Sequence, residues 1–389
     1  MKKQTKLIRI QTERSQFREH STPLFLTSSF CFEDAQMGKD LFDNTLEGNI
    51  YSRFSNPTVQ EFVDKVCMLE DCEDGIATAT GMAAVFAGFG ANLANGDHLI
   101  SSKALFGSAY QIITQILPKW GISHTYINAN EPKEVWEAAI QPNTKMIYLE
   151  TPSNPGLELV DLQMIGELTK KHNLIYCVDN CFATPILQTP AEFGANLIIH
   201  SATKFMDGQG RVLGGIIVGT KELIEKVRFF CRQTGPSLSP FNAWILTKSL
   251  ETLALRVGKH CENAEKLAKA IEKLNGVKTV NYPFLPSHPQ FELAKKQMMA
   301  GGALITFELE GGFERVIRFS KLLTIASLTS NLGDSRTTVT NPHTTTHAKV
   351  SKEDKQLLGI FEGSIRVSVG LEDIDDLIED FTQAILGSN

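Results

Sequence analysis

Short apolar runs punctuate the chain between residues 76 and 219. They are IATAT (76–80), HLISS (98–102), MIYLE (146–150), LIYCVDN (174–180), LIIHS (197–201) and GGIIVG (214–219). The stretches 82–94, 107–118 and 161–172 between them read as helices. Continuous apolar strands separated by helices predict a mostly parallel sheet covered on both faces. Upstream, Asn56-Pro57-Thr58 predicts a helix start, because Asn caps free amides and Pro is tolerated in the first turn. That helix would run through VQEFVDKVCMLE.

The segment QTGPSLSP (233–240) interrupts the pattern. Residues 241–274 then read as one long helix or two abutting ones, with Ala264, Leu267, Ala268 and Ile271 at helical spacing. Residues 275–290 hold three prolines and read as loop. Strand-like ALITFEL (303–309) and IRVSVG (365–370) follow, with helical segments at 313–323 and 372–386. The expected fold is α/β: an arm over residues 1–50, a large domain with a mostly parallel sheet flanked by helices over 51–240, and a smaller α+β C-terminal domain over 241–389.

Composition narrows the function without naming it. A chain of 389 residues with 42% hydrophobic and 21% charged residues is ordinary globular material. The net charge of -6 gives no reason to expect a nucleic-acid partner. No run approaches the roughly eighteen apolar residues of a membrane span. The opening MKKQTKLIRIQTERSQ lacks the apolar stretch of a signal peptide, so a cytoplasmic location is expected. Seven cysteines, an odd number without a C-x-x-C pair, read as reduced structural thiols. On a helix, His343 and His347 would share a face. Without a Glu beside the first His, and with three threonines between, no zinc site is expected.

The polar residues that follow the apolar runs change the picture. MIYLE leads into Thr151-Pro152-Ser153-Asn154-Pro155, LIYCV ends in Asp179-Asn180, and LIIH ends in Ser201-Ala202-Thr203-Lys204. In a parallel sheet the strand C-termini share one edge, where ligands bind. Asn154, Asp179, Ser201, Thr203 and Lys204 would converge there. Thr80-Gly81-Met82-Ala83 marks a strand passing into a helix, whose start is an anion site. Phosphate cradle, acid, amide and lysine together suit pyridoxal phosphate. Lys204 would hold its aldehyde, and Asp179 would keep its ring nitrogen protonated. Ser201, Thr203 and the backbone of Gly81 and Met82 would take its phosphate. Taken singly, each residue has a plain structural role as turn, cap or solvated side chain, and spacing leaves both readings open. The chain has neither G-x-x-x-x-G-K-[ST] nor G-x-G-x-x-G.

YSRFSNPT (51–58), TGMAA (80–84), ETPSNP (150–155), VDNCFATP (178–185), HSATKF (200–205) and IRVSVGLED (365–373) together resemble the Cys/Met-metabolism family of fold-type I pyridoxal-phosphate enzymes. The resemblance extends from about residue 20 to the C-terminus. It implies that Lys204 carries the cofactor, Asp179 meets the ring nitrogen and Asn154 lies near the ring hydroxyl. Gly81, Met82, Ser201 and Thr203 would bind phosphate, with Tyr51 and Arg53 reaching in from a neighbouring subunit. It also implies a homotetramer built from dimers that share active sites, and an amino-acid substrate whose carboxylate is held by Arg366. DGQGRVLGG (207–215), NLGDSRTT (331–338) and NPHTTTH (341–347) resemble the O-succinylhomoserine sulfhydrylase branch. Phe106 stands where the wider family stacks a tyrosine on the cofactor. Asn331 replaces a serine near the substrate carboxylate. The implied activity is γ-replacement in methionine biosynthesis: O-succinylhomoserine, or its acetyl counterpart, plus sulfide gives homocysteine. Cystathionine γ-synthase, a methionine or cystathionine γ-lyase, and a non-catalytic phosphate-ligand-binding protein are the alternatives. The acyl group and the sulfur donor stay open.

Overall fold

The computed structural model describes residues 1–389, the side chains of residues 354 and 357 excepted. Seven strands form the first sheet: β1 (Asp74–Thr78), β2 (His98–Ser102), β3 (Ser123–Ile127), β4 (Thr144–Glu150), β5 (Ile175–Asp179), β6 (Leu197–His200) and β7 (Gly215–Gly219). Their order is β1-β7-β6-β5-β4-β2-β3. Strand β7 runs antiparallel to both neighbours, β1 and β6, and the other pairs are parallel. The C-terminal ends of β1, β4, β5 and β6 therefore lie on one edge, and β7 begins there.

Both faces of this sheet are covered, as uninterrupted apolar strands require. Ile198, Ile216 and Val218 enter one core with Phe62, Val66 and Leu162. Their chain neighbours Ile199 and Ile217 enter the opposite core with Phe89, Tyr148 and Ile224. Truncating Ile198, wholly buried, to Ala is expected to cost about 2–5 kcal/mol. The helix Pro57–Glu70 starts at Asn56, whose side chain accepts from the Thr58 amide at 2.9 Å.

Residues 240–271 form two abutting helices, Pro240–Leu250 and Leu253–Ile271. The second sheet comprises β8 (Val277–Asn281), β9 (Leu304–Leu309), β10 (Ser327–Leu328), β11 (Thr338–Thr340) and β12 (Ser364–Ser368), in the order β10-β11-β12-β9-β8. It packs with the helices Leu253–Ile271, Gly312–Leu322 and Ile374–Gly387 around a separate core that includes Phe307, Phe319 and Phe381.

Two local expectations differ from the structure. Strand β8 lies inside the stretch read as loop, since the three prolines follow it rather than interrupt it. It is an edge strand with only Val280 fully buried, so it leaves no apolar run. The helix expected over 107–118 is an α-turn (Gly107–Gln111), a π-helical turn (Ile112–Ile116) and a 3₁₀ turn (Leu117–Trp120). His343 and His347, where the sequence predicts no helix outright, lie in a series of turns. Among the described residues, no helix is long and apolar enough to cross a membrane.

Candidate active site

The shared strand edge opens into a cavity of about 330 Å³. Its wall draws on every element the sequence singled out at that edge. The end of β4 and the turn after it supply Glu150 and Asn154, β5 supplies Asp179, and the turn after β6 supplies Ser201, Thr203 and Lys204. The first turn of the helix Gly81–Asn92 supplies Gly81 and Met82. Phe106 lines the cavity ahead of the α-turn, Arg366 reaches in from β12, and Asn331 from the connection between β10 and β11.

The turn after β6 is pinned by its neighbour across the sheet. The Thr203 hydroxyl accepts from the Gly214 amide at 3.0 Å and donates to the Gly214 carbonyl at 3.2 Å. Gly333 packs behind it with φ of +75°; a Cβ there would sit 2.6 Å from the Phe205 amide nitrogen and 2.9 Å from the Lys204 carbonyl carbon. Only glycine combines that backbone with that approach. The side chain of Lys204 points inward, and its Nζ donates to Asn331 Oδ1 at 2.7 Å. Burial lowers the Lys204 pKa, nearby Arg366 adds to this in smaller measure, and Cys181 opposes it.

Two acids line the same cavity. Burial pushes the Asp179 carboxyl up to about 6, against the pull of the Cys181 amide, which donates to it at 3.0 Å, and of His200. Glu150 is raised well above the carboxylate range, first by burial and then by Asp179. Its Oε2 accepts from the Phe106 amide at 2.7 Å, which ties the Phe106 ring to the end of β4. Arg366 is buried yet held open: Nη1 donates to Asn154 Oδ1 at 3.0 Å, Nη2 to the Ser330 carbonyl at 2.9 Å, and Nε has no partner. Burial lowers its pKa to about 10, offset in part by Glu150.

The residues fit pyridoxal phosphate. The Thr80 side chain caps its helix by accepting from the Ala83 amide at 3.1 Å, which leaves the first-turn amides of Gly81 and Met82 for an anion. Gly81 abuts Ser201 so closely that a Cβ would lie 2.6 Å from Ser201 Cβ and 2.8 Å from its Cα. The cradle needs glycine. A buried acid at Asp179 calls for a cationic partner, which a protonated pyridine provides. The amine of Lys204 would supply the point of attachment.

Tyr51 and Arg53 are not brought into this cavity by their own chain. They lie together elsewhere on the surface, where the Arg53 guanidinium stands 5.5 Å from the Tyr51 ring centroid and donates to the Arg232 carbonyl. Glu150, Ser330 and Thr346 line the cavity but carried no separate sequence signal. Glu150 ends an apolar strand next to Asp179's strand, which is the clue that would have found it. Thr346 belongs to the turns around His347, a buried imidazole lowered to about 4 by burial and by Arg366.

Comparison with known proteins adds the following. The family described as Cys/Met metabolism PLP-dependent enzyme matches residues 4–386. An O-succinylhomoserine sulfhydrylase of Pseudomonas aeruginosa is 42% identical over 381 residues, 98% of this chain and 94% of that protein. An L-methionine gamma-lyase of Porphyromonas gingivalis is 38% identical over 368 residues, 94% and 92% of the two chains. The crystal structure of a putative O-acetylhomoserine (thiol)-lyase from Campylobacter jejuni superposes with a TM-score of 0.94 at 32% identity, covering 99% of this chain and 100% of its own. That structure carries an N'-pyridoxyl-lysine-5'-monophosphate.

Proposed function

Because the chain belongs to the Cys/Met metabolism family of PLP-dependent enzymes, we propose that it catalyses γ-replacement on an O-acylhomoserine. Sulfide displaces the acyl group, and homocysteine and the carboxylate leave, a step of methionine biosynthesis. The 42% identity to an O-succinylhomoserine sulfhydrylase supports the choice of reaction. The observation that carries it is the surroundings of Lys204: its amine meets Asn331 at 2.7 Å, Phe106 lines the same wall, and no tyrosine lines the cavity among the described residues. A phenol at that wall would be a second proton carrier. Without it, Lys204 is the proton carrier that the chain supplies to its own cavity.

When bound, pyridoxal phosphate supplies an aldehyde for the substrate amine and a ring that accepts an electron pair from the α-carbon. The chain's own residues do the rest. Arg366 pairs with the substrate carboxylate through its open Nε side, a bidentate task suited to guanidinium. Asp179 holds the proton on the ring nitrogen. Lys204 Nζ removes the α-proton and returns it, and its lowered pKa keeps a fraction of the amine neutral for that work. Gly81, Met82, Ser201 and Thr203 bind the phosphate, and Asn154 serves the ring hydroxyl. Asn331 orients Lys204 and borders the substrate carboxylate site.

The proposal extends to assembly. Tyr51 and Arg53 complete the phosphate site of a neighbouring subunit, which makes a dimer the smallest competent unit and a homotetramer the full enzyme. Their surface position on their own chain supports this. The chain divides on this reading into an arm (1–50), a cofactor-binding domain (51–240) and a C-terminal domain (241–389); the two separate sheets support two domains, while the helix Pro240–Leu250 packs into the core of the first. The enzyme is assigned to the cytoplasm. The test offers purified protein an O-acylhomoserine with and without sulfide. Sulfide-dependent homocysteine supports the proposal. Ammonia and 2-oxobutanoate from methionine, with no homocysteine formed, would instead identify a γ-lyase.

A further inference from the structure

A second cavity, of about 630 Å³, adjoins the first. Met82 and Thr346 line both, and Gly107, in the wall of the second, directly follows Phe106, in the wall of the first. The two walls of this annex are held close together. A Cβ on Gly107 would lie 2.9 Å from the Thr346 carbonyl oxygen, so glycine is what lets the α-turn approach the segment 345–350. On one wall stand Ser108 and Gln111, three residues apart and on one helical face. On the other stands Lys349.

The charges assign the annex its ligand. Three basic side chains line the two cavities: Lys204, Arg366 and Lys349. The proposed function uses Lys204 for the cofactor and Arg366 for the α-carboxylate. Other cations of the region are already engaged, Arg211 by Asp207 at 2.9 Å and Arg336 by Asp334 at 3.2 Å. Lys355 donates to the carbonyls of His343 and Ala348. Lys349 has no carboxylate partner among the described residues, and no acid lines the annex. A cationic side chain with a hydroxyl and an amide in the same lining, in a cavity that shares Met82 and Thr346 with the reaction site, matches a carboxylate carried at the far end of a substrate.

We propose that Lys349, with Ser108 and Gln111, binds the terminal carboxylate of a dicarboxylic acyl group, so that the enzyme selects an O-succinyl over an O-acetyl ester. The inference rests on the γ-replacement reading and deepens it by naming the acyl class. Arg366 and Lys349 then hold the two carboxylates of an extended substrate, and the scissile ester lies between them.

The test measures kcat/KM of the holoenzyme for O-succinylhomoserine and O-acetylhomoserine with sulfide, in the wild type, Lys349→Ala and Lys349→Arg. Loss of a charge-assisted hydrogen bond predicts that Lys349→Ala lowers the succinyl-to-acetyl ratio on the order of tenfold to a hundredfold, chiefly through KM. Lys349→Arg keeps most of the ratio, and free succinate inhibits the wild type more strongly than it inhibits Lys349→Ala. A ratio unmoved by Lys349→Ala, or a wild type that prefers the acetyl ester, overturns the inference and leaves γ-replacement standing. A wild type that turns over neither ester removes the γ-replacement reading itself, and this inference with it.

Discussion

Asp179 is a group the fold holds at a cost. Burial raises its carboxyl from the ordinary 3.8 to about 6, and the Cys181 amide and His200 recover only part of the loss. A group whose folded pKa lies above its unfolded value binds protons more tightly in the folded state. Its contribution to the stability of cofactor-stripped protein is therefore greatest below about pH 4 and is lost as pH rises through 6. A shift of roughly two units corresponds to about 3 kcal/mol at pH 7.5, and to about half of that at pH 5. Asp179→Asn removes the charge but keeps an oxygen for the Cys181 amide. The stripped variant should thus be more stable than stripped wild type at pH 7.5 by up to ~3 kcal/mol, with a smaller gap at pH 5. With cofactor bound the order should reverse, since a neutral amide no longer holds a protonated ring nitrogen, and α-proton exchange into deuterated solvent should slow by orders of magnitude. Urea unfolding of both stripped proteins at equal concentration and at the two pH values measures the gap. Stripped wild type as stable as the variant at pH 7.5, or a gap that widens on acidification, would refute the reasoning.

Other perturbations follow from the same geometry. Gly81→Ala places a methyl 2.8 Å from Ser201 Cα, a backbone atom that cannot rotate away, so cofactor affinity should fall at least about tenfold in an absorbance titration. Lys204→Ala and Arg53→Ala should each be inactive alone; when mixed, unfolded and refolded together, hybrid dimers should regain part of the wild-type activity, and no recovery would place Arg53 outside a shared site. Arg366→Lys replaces a planar fork by a single ammonium and should raise KM for the acylhomoserine about tenfold to a hundredfold, with a smaller change in kcat.

The strands at the ligand edge were legible because their apolar runs are unbroken and end in polar residues. Asp179 and Lys204 could be placed from those endings, since a parallel sheet aligns its C-termini. What the sequence did not disclose falls into two kinds. Edge strands such as β3 and β8 alternate polar and partly buried residues and leave no continuous run. Contacts across the two sheets, such as Asn331 with Lys204 and Arg366 with Asn154, join residues more than a hundred positions apart, and no local period encodes them. Glu150 illustrates the intermediate case. Its place at the end of β4 was visible, but its hold on the Phe106 amide appears only in three dimensions. Lys349 is a surface lysine by every sequence criterion, and only the cavity it lines gives it a candidate role.

The central claim is that the amine of residue 204 bears the cofactor. Borohydride treatment of holoprotein, followed by proteolysis and mass spectrometry, tests it most directly. The account predicts one pyridoxyl phosphate adduct per chain, on the peptide that contains Lys204. An adduct confined to a different lysine, with Lys204 unmodified, would contradict it.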